Sequence, residues 1–138
     1  MRGAERLHEV RIRLEVPFHD VDRLGVVWHG HYFKYFELAR TRLLRALGLD
    51  AGELIGPRYK FLITETGCRH VHALAYGEQF EVAAWLRDFD NRLCIDYEIT
   101  SLDHDRRVAR AHTVLASTDA EGRLLLRTPE AIRARVIG

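Results

Sequence analysis

The chain is short of several things at once, and each shortage removes a class of function. No apolar run approaches the roughly 20 residues that a membrane-spanning helix needs, and Met1 to Leu7 (MRGAERL) lacks the apolar centre of a secretory signal. A cytoplasmic protein is the expectation. Cysteine occurs only twice, at Cys68 and Cys94, with neither a CxxC nor a regular spacing. That excludes a disulfide framework and a zinc ribbon, and leaves two packed thiols in a reducing compartment. The formal net charge is only +1, so there is no global attraction to nucleic acid or to an anionic membrane. There is no GxGxxG, no P-loop and no serine-centred elbow, which removes the common dinucleotide, nucleotide-triphosphate and serine-hydrolase signatures. Repeats, low-complexity tracts and linkers are absent too, and 138 residues suit one domain spanning 1–138.

What is present is a strand, a long helix and then more strands. From His8 to Val16 the chain alternates, with Val10, Ile12, Leu14 and Val16 on one face and Glu9, Arg11, Arg13 and Glu15 on the other. Pro17 ends this strand. After a loop over Asp20 to Gly30, apolar residues at Tyr32, Phe36, Ala39, Leu43 and Leu47 fall in steps of four and three, predicting a helix from about His31 to Leu47 that Gly48 closes. Asp50 is expected to cap a further short helical turn up to Pro57. Strands follow over Tyr59–Leu74, with a break near Gly67, and over Gln79–Arg87, Arg92–Leu102 and Arg107–Thr118, the last with Val108, His112, Val114 and Ala116 facing one way. The short polar links between them predict that consecutive strands are antiparallel neighbours. Glu130 to Val136 reads as a terminal helix after Pro129. Strands from both ends of the chain bury their apolar faces together only if the helix lies across one face of a curved antiparallel sheet. Such a sheet leaves edges open, a situation often resolved by pairing subunits edge to edge.

The chemistry concentrates between the first strand and the helix. Asp20 and Asp22 precede a glycine turn at Gly25 and the helix entrance at His29, where free backbone N–H groups and the positive end of the dipole suit a developing oxyanion. An ordinary Asp is ionised at neutral pH and serves as nucleophile or general base. Spacing does not choose between the two, since residues two apart in an extended segment point the same way. His29 with His31 and His70 with His72 form two HxH pairs, but no carboxylate spacing completes a ligand set, so no metal and no organic cofactor is expected. Glu37 projects from the helix and reads first as a residue paired with Arg40 or solvated. Arg87, Arg92, Arg106, Arg107 and Arg110 sit at strand ends, as solvated residues or as anchors for a phosphate-bearing substrate.

The stretch DVDRLGVVWHGHYFKYFELAR, Asp20 to Arg40, resembles the signature of the 4-hydroxybenzoyl-CoA thioesterase family of hotdog-fold acyl-CoA thioesterases, including its Tol-Pal-associated bacterial branch. The order of strands after it extends the likeness over most of the chain. The resemblance implies an α+β hotdog fold, a long helix wrapped by an antiparallel sheet of about five strands, with dimers joined through their sheets and often paired into tetramers. It implies hydrolysis of an acyl-CoA to a carboxylic acid and CoA at a site shared between subunits. The catalytic carboxylate falls on Asp22, the oxyanion-binding amide on His29, and substrate binding on Gly25, Trp28, Tyr32 and Arg92, the last as a contact to the CoA phosphates. Ala75-Tyr76-Gly77-Glu78 stands where the family typically has a basic residue followed by Tyr-Gly-Asp. An acyl-carrier-protein thioesterase and a non-catalytic acyl-CoA-binding module are the alternatives, the second disfavoured by the presence of both Asp22 and the Gly25 turn.

Overall fold

The computed structural model describes residues 5–50 and 58–138. Strand β1 (Leu7–Glu15) leads through a loop to helix α1 (Tyr32–Ala46), followed by β2 (Tyr59–His70), β3 (Gln79–Asp88), β4 (Leu93–Ser101), β5 (Arg106–Asp119) and a short helix α2 (Glu130–Ile137). The short helical turn expected between Asp50 and Pro57 falls outside the described residues. The five strands form one antiparallel sheet in the order β1-β3-β4-β5-β2.

Helix α1 buries Tyr32, Tyr35, Phe36, Ala39 and Leu43, the stripe that steps of four and three dictate. They pack with Phe80, Val82, Ala84 and Leu86 of β3 and Leu93, Ile95, Tyr97 and Ile99 of β4 in a single core. Leu43 is wholly buried; its truncation to Ala costs about 2–5 kcal/mol by the usual transfer and cavity terms. Gly48, at φ +72°, turns the chain out of the helix so that the Leu49 N–H reaches the Leu44 carbonyl at 2.8 Å, a left-handed position that glycine takes without strain. No helix among the described residues is long and apolar enough to cross a membrane. Cys68 and Cys94 are free, and burial raises both thiols, Cys68 to about 11.

Three expectations from sequence are corrected. Consecutive strands are not all neighbours: β2 pairs with β5 and β3 with β1, so the link between β2 and β3 crosses the end of the sheet instead of turning a hairpin. It is held there by a Val26–Ala75 bridge and by the Val27 N–H donating to the Leu74 carbonyl at 2.8 Å. Gly67 does not break β2, which runs unbroken to His70. In β5 the register shifts between Ile99 and Thr100 of β4. Beyond that bulge Ala109, Ala111, Thr113 and Leu115 share the inner face with Ile99, Tyr97, Ile95 and Leu93, their register partners, while His112 and Val114 face outward opposite Asp96 and Cys94. One extra residue inverts the facing of everything after it.

Candidate active site

The loop between β1 and α1 is folded around a buried carboxylate. Pro17 starts a 3-10 turn over Phe18–Asp20, and the Asp20 side chain has no exposed surface. One of its oxygens, Oδ1, accepts from Lys34 Nζ at 2.6 Å and the other, Oδ2, from the Tyr35 hydroxyl at 2.6 Å. His19 Nε2 and His31 Nδ1 lie 3.5 and 4.0 Å from Oδ1. Burial works to raise the Asp20 pKa, but the hydrogen bonds from Lys34 and Tyr35 and the Lys34 charge outweigh it, and the net displacement is downward. The partner tyrosine is pushed the other way, by burial and then by its bond to Asp20. The Asp20 carbonyl also accepts the Trp28 N–H at 3.3 Å, so one residue ties the two ends of the loop together and docks it on α1.

Between those ends the chain makes a tight reversal. The Asp22 N–H donates to the Val26 carbonyl at 2.9 Å and the Gly25 N–H to the Asp22 carbonyl at 3.0 Å. Gly25 sits at φ +82°, and a Cβ there would meet nothing within 4 Å, so glycine is required here by conformation and not by space. Asp22 is exposed at the tip. Its Oδ1 accepts the Leu24 N–H at 2.9 Å, and Oδ2 has no partner among the described residues. The two aspartates that spacing leaves equivalent are thus separated by environment, one committed to the fold and one open.

The helix entrance is a 3-10 turn over His29–His31, with α1 proper starting at Tyr32. The expected helix start at His31 is therefore one residue early, and the amide of His29 belongs to this tighter turn. The His31 N–H is spent on the Trp28 carbonyl at 2.9 Å, whereas the N–H groups of His29 and Gly30 have no acceptor among the described residues. The Trp28 indole lies over Gly30, where a Cβ would stand 2.3 Å from the ring, and it packs against the rings of His29 and His31 at centroid distances of 5.2 and 5.3 Å.

Beside this entrance is a cavity of about 260 Å³ lined by Val27, His29, Tyr32 and the segment His70 to Ala73. The Tyr32 ring meets His70 edge-on at 4.7 Å, and its hydroxyl accepts the Leu74 N–H at 3.0 Å. His70 faces His29 at 6.4 Å, and burial, then the neighbouring His29, lower its pKa, favouring the neutral ring. Of the sequence-derived candidates, His29 and Tyr32 line this cavity, Trp28 adjoins it, and Asp22 and Gly25 lie on the loop at its side without lining it. Arg92 does not join them. Its Nη1 donates to the carbonyls of Asn91, Leu125 and Leu126 at 2.9, 3.2 and 3.4 Å, tying the turn between β3 and β4 to the segment before α2. His70 and His72 form one of the two HxH pairs and fall near the end of the strand expected over Tyr59–Leu74. They reach the site only because the β2–β3 link crosses the sheet end, for which their local pattern holds no signal.

The same region of sequence is shared with known proteins. The Thioesterase-like superfamily matches residues 16–136. A protein of Aquifex aeolicus named as an esterase is 30% identical over 101 residues, covering 73% of this chain and 78% of its own length. An acyl-acyl carrier protein thioesterase of Arabidopsis thaliana is 25% identical over 137 residues, covering 99% of this chain and 70% of its own length. Among solved structures, a Staphylococcus aureus protein in complex with CoA superposes with a TM-score of 0.84 at 18% identity, covering 98% of this chain and 85% of that one.

Proposed function

The chain belongs to the Thioesterase-like superfamily and is a hotdog-fold thioester hydrolase, and we propose that it hydrolyses an acyl-CoA, R–CO–S–CoA, to the carboxylic acid and CoA, on the 4-hydroxybenzoyl-CoA thioesterase side of the superfamily. The observation that carries this reading is the presence of a free carboxylate oxygen on Asp22, at the tip of the loop pinned by Asp20, together with unspent N–H groups at His29 and Gly30, where that loop enters the helix. The amides polarise the thioester carbonyl and hold its oxygen as charge develops. Asp22 then takes a proton from the attacking water, or itself adds to the carbonyl carbon. The C–S bond breaks and the thiolate leaves, taking up a proton to give CoA; on the nucleophilic route a water then hydrolyses the mixed anhydride with Asp22, releasing the acid and restoring the carboxylate. Turnover in ¹⁸O-water separates the two routes, because only a nucleophilic Asp22 ends with label in its own carboxylate.

The working unit we propose is a dimer made by pairing β2 with its copy. Strand β2 is an edge strand of 12 residues that exposes Leu62 and Ile63, and a long apolar edge is a template for another strand. Next to it a cavity of about 190 Å³ is lined by Phe33, Phe36, Glu37, Arg40, Ile63, Thr66 and Thr113, which the partner's strand would roof. The test of function is a panel of acyl-CoA thioesters assayed by release of free thiol. A specific second reading comes from the Arabidopsis relative, whose name specifies an acyl carrier protein substrate. Turnover of acyl carrier protein esters alone would favour it; turnover of CoA esters supports the proposal, and turnover of neither overturns it.

A further inference from the structure

A cavity of about 540 Å³ is on the other side of the sheet from α1. Strand alternation places it there: Ile95, Tyr97 and Ile99 of β4 enter the core, so Asp96 and Glu98 face outward, and so do their register partners His112 and Arg110 of β5. Next across are Gly67 and Arg69 of β2, paired with His112 and Arg110. The cavity is the dip in this row where β2 has no side chain. A Cβ on Gly67 would stand 2.7 Å from the His112 ring, and that ring reaches Glu65 at 2.7 Å.

Most arginines of the outer face around the cavity are paired with carboxylates. Arg6 pairs with Glu9 and Glu98, Arg11 with Glu9 and Glu81, Arg87 with Asp96, and Arg107 with Glu98. Arg69 and Arg110 take no part in these pairs. They stand directly opposite each other across β2 and β5, both exposed, and neither has an ion-pair or hydrogen-bond partner among the described residues. Like charges directly opposite on neighbouring strands destabilise a sheet. The carboxylates around them are engaged: Glu65 with His112, Asp96 with Arg87, and Glu98, across from Arg110, with Arg6 and Arg107. The cavity lining carries three arginines against two carboxylates, so its charge excess belongs to this pair.

We propose that the groove is a phosphate-binding site, in which Arg69 and Arg110 together hold one phosphate or diphosphate group. Two guanidinium forks on adjacent strands match the several acceptor oxygens of a phosphate better than a single carboxylate, and an anion between them removes the repulsion that the empty pair carries. The group could belong to the nucleotide end of a CoA ester or to a free inorganic anion; the chemistry of the site is the same.

Calorimetric titration of the full chain with inorganic pyrophosphate, with adenosine 3′,5′-bisphosphate and with free CoA, at constant ionic strength, tests this without turnover. It is therefore read equally well in a hydrolytically dead Asp22→Asn protein. Binding by wild type that weakens at least tenfold in both Arg69→Gln and Arg110→Gln supports the site. Tighter binding of the two nucleotides than of pyrophosphate assigns the nucleotide as its source, and equal binding assigns a free anion. Without ligand, each variant should melt no lower than wild type, since a repulsion has been removed. The proposal is overturned by absent binding, by equal binding in wild type and variants, or by a change of oligomeric state in the variants, which would show that a second copy's carboxylates occupy the pair.

Discussion

The Tyr35 hydroxyl donates a 2.6 Å hydrogen bond to Asp20 Oδ2 from the first turns of α1, and with Lys34 on the other oxygen it locks the loop that presents Asp22. A carboxylate two residues from the proposed catalytic one therefore works as a positioning residue, through the backbone it holds.

Asp20→Asn should destabilise the protein. The amide keeps one acceptor but loses the charge facing Lys34, and its NH₂ is aimed at a donor; charge-assisted bonds to a buried group put the loss at about 2 kcal/mol. The pH dependence follows from the downward shift of the Asp20 pKa. A depressed folded pKa contributes stability that is present above the ordinary carboxylate range and is lost as pH falls through the folded value. Urea melts of wild type should show stability dropping on acidification below about pH 4, and the Asn variant should lack that component.

Arg92→Ala should act on stability. Its Nη1 bridges three carbonyls between the β3–β4 turn and the segment leading to α2, so about 1 kcal/mol is expected in denaturant unfolding. Any effect on KM should then be the same for a CoA ester and for the truncated N-acetylcysteamine thioester. A rise confined to the CoA ester would return Arg92 to the phosphate contact that the family resemblance implies.

How much of this is legible in the sequence depends on the range of the signal. The α1 stripe from Tyr32 to Leu43 and the strand pattern of β3 and β4 are local and read correctly. The phase of β5 is not, because the bulge opposite Ile99 and Thr100 changes a period-2 pattern by one residue with no turn signal. The crossing from β2 to β3 is hidden for a different reason: Tyr76-Gly77-Glu78 has the composition of a hairpin turn, and only tertiary contacts with Val26 and Val27 show where it goes. That crossing brings His70 beside His29. Burial separates Asp20 from Asp22, and burial is a property of the fold that two aspartates at i and i+2 do not encode.

Gly30→Ala should displace the Trp28 indole, since the new methyl would stand 2.3 Å from the ring. The indole is half-exposed and free to swing outward, so unfolding free energy should change by less than about 1 kcal/mol. Tryptophan emission should shift, and kcat should fall with the altered geometry at the His29 amide.

Ile63→Lys places a charge on the apolar edge of β2. If β2 pairs with its copy, light scattering should show the variant dissociated at micromolar concentration, with activity lost in parallel while circular dichroism stays that of the fold. An unchanged oligomer would show that the subunits meet elsewhere.

The most direct measurement of the central claim is the thiol-release kinetics of Asp22→Asn. Asn can keep the Leu24 N–H contact and so the turn, but it neither attacks a carbonyl nor accepts a proton from water. The account predicts that kcat falls by 10²-fold or more, on the order of 3 kcal/mol of transition-state stabilisation, with near-normal substrate affinity and an unchanged melting temperature. Wild-type turnover in Asp22→Asn, or a matching loss in Glu37→Gln alone, would contradict it and move the chemistry to the carboxylate on the helix.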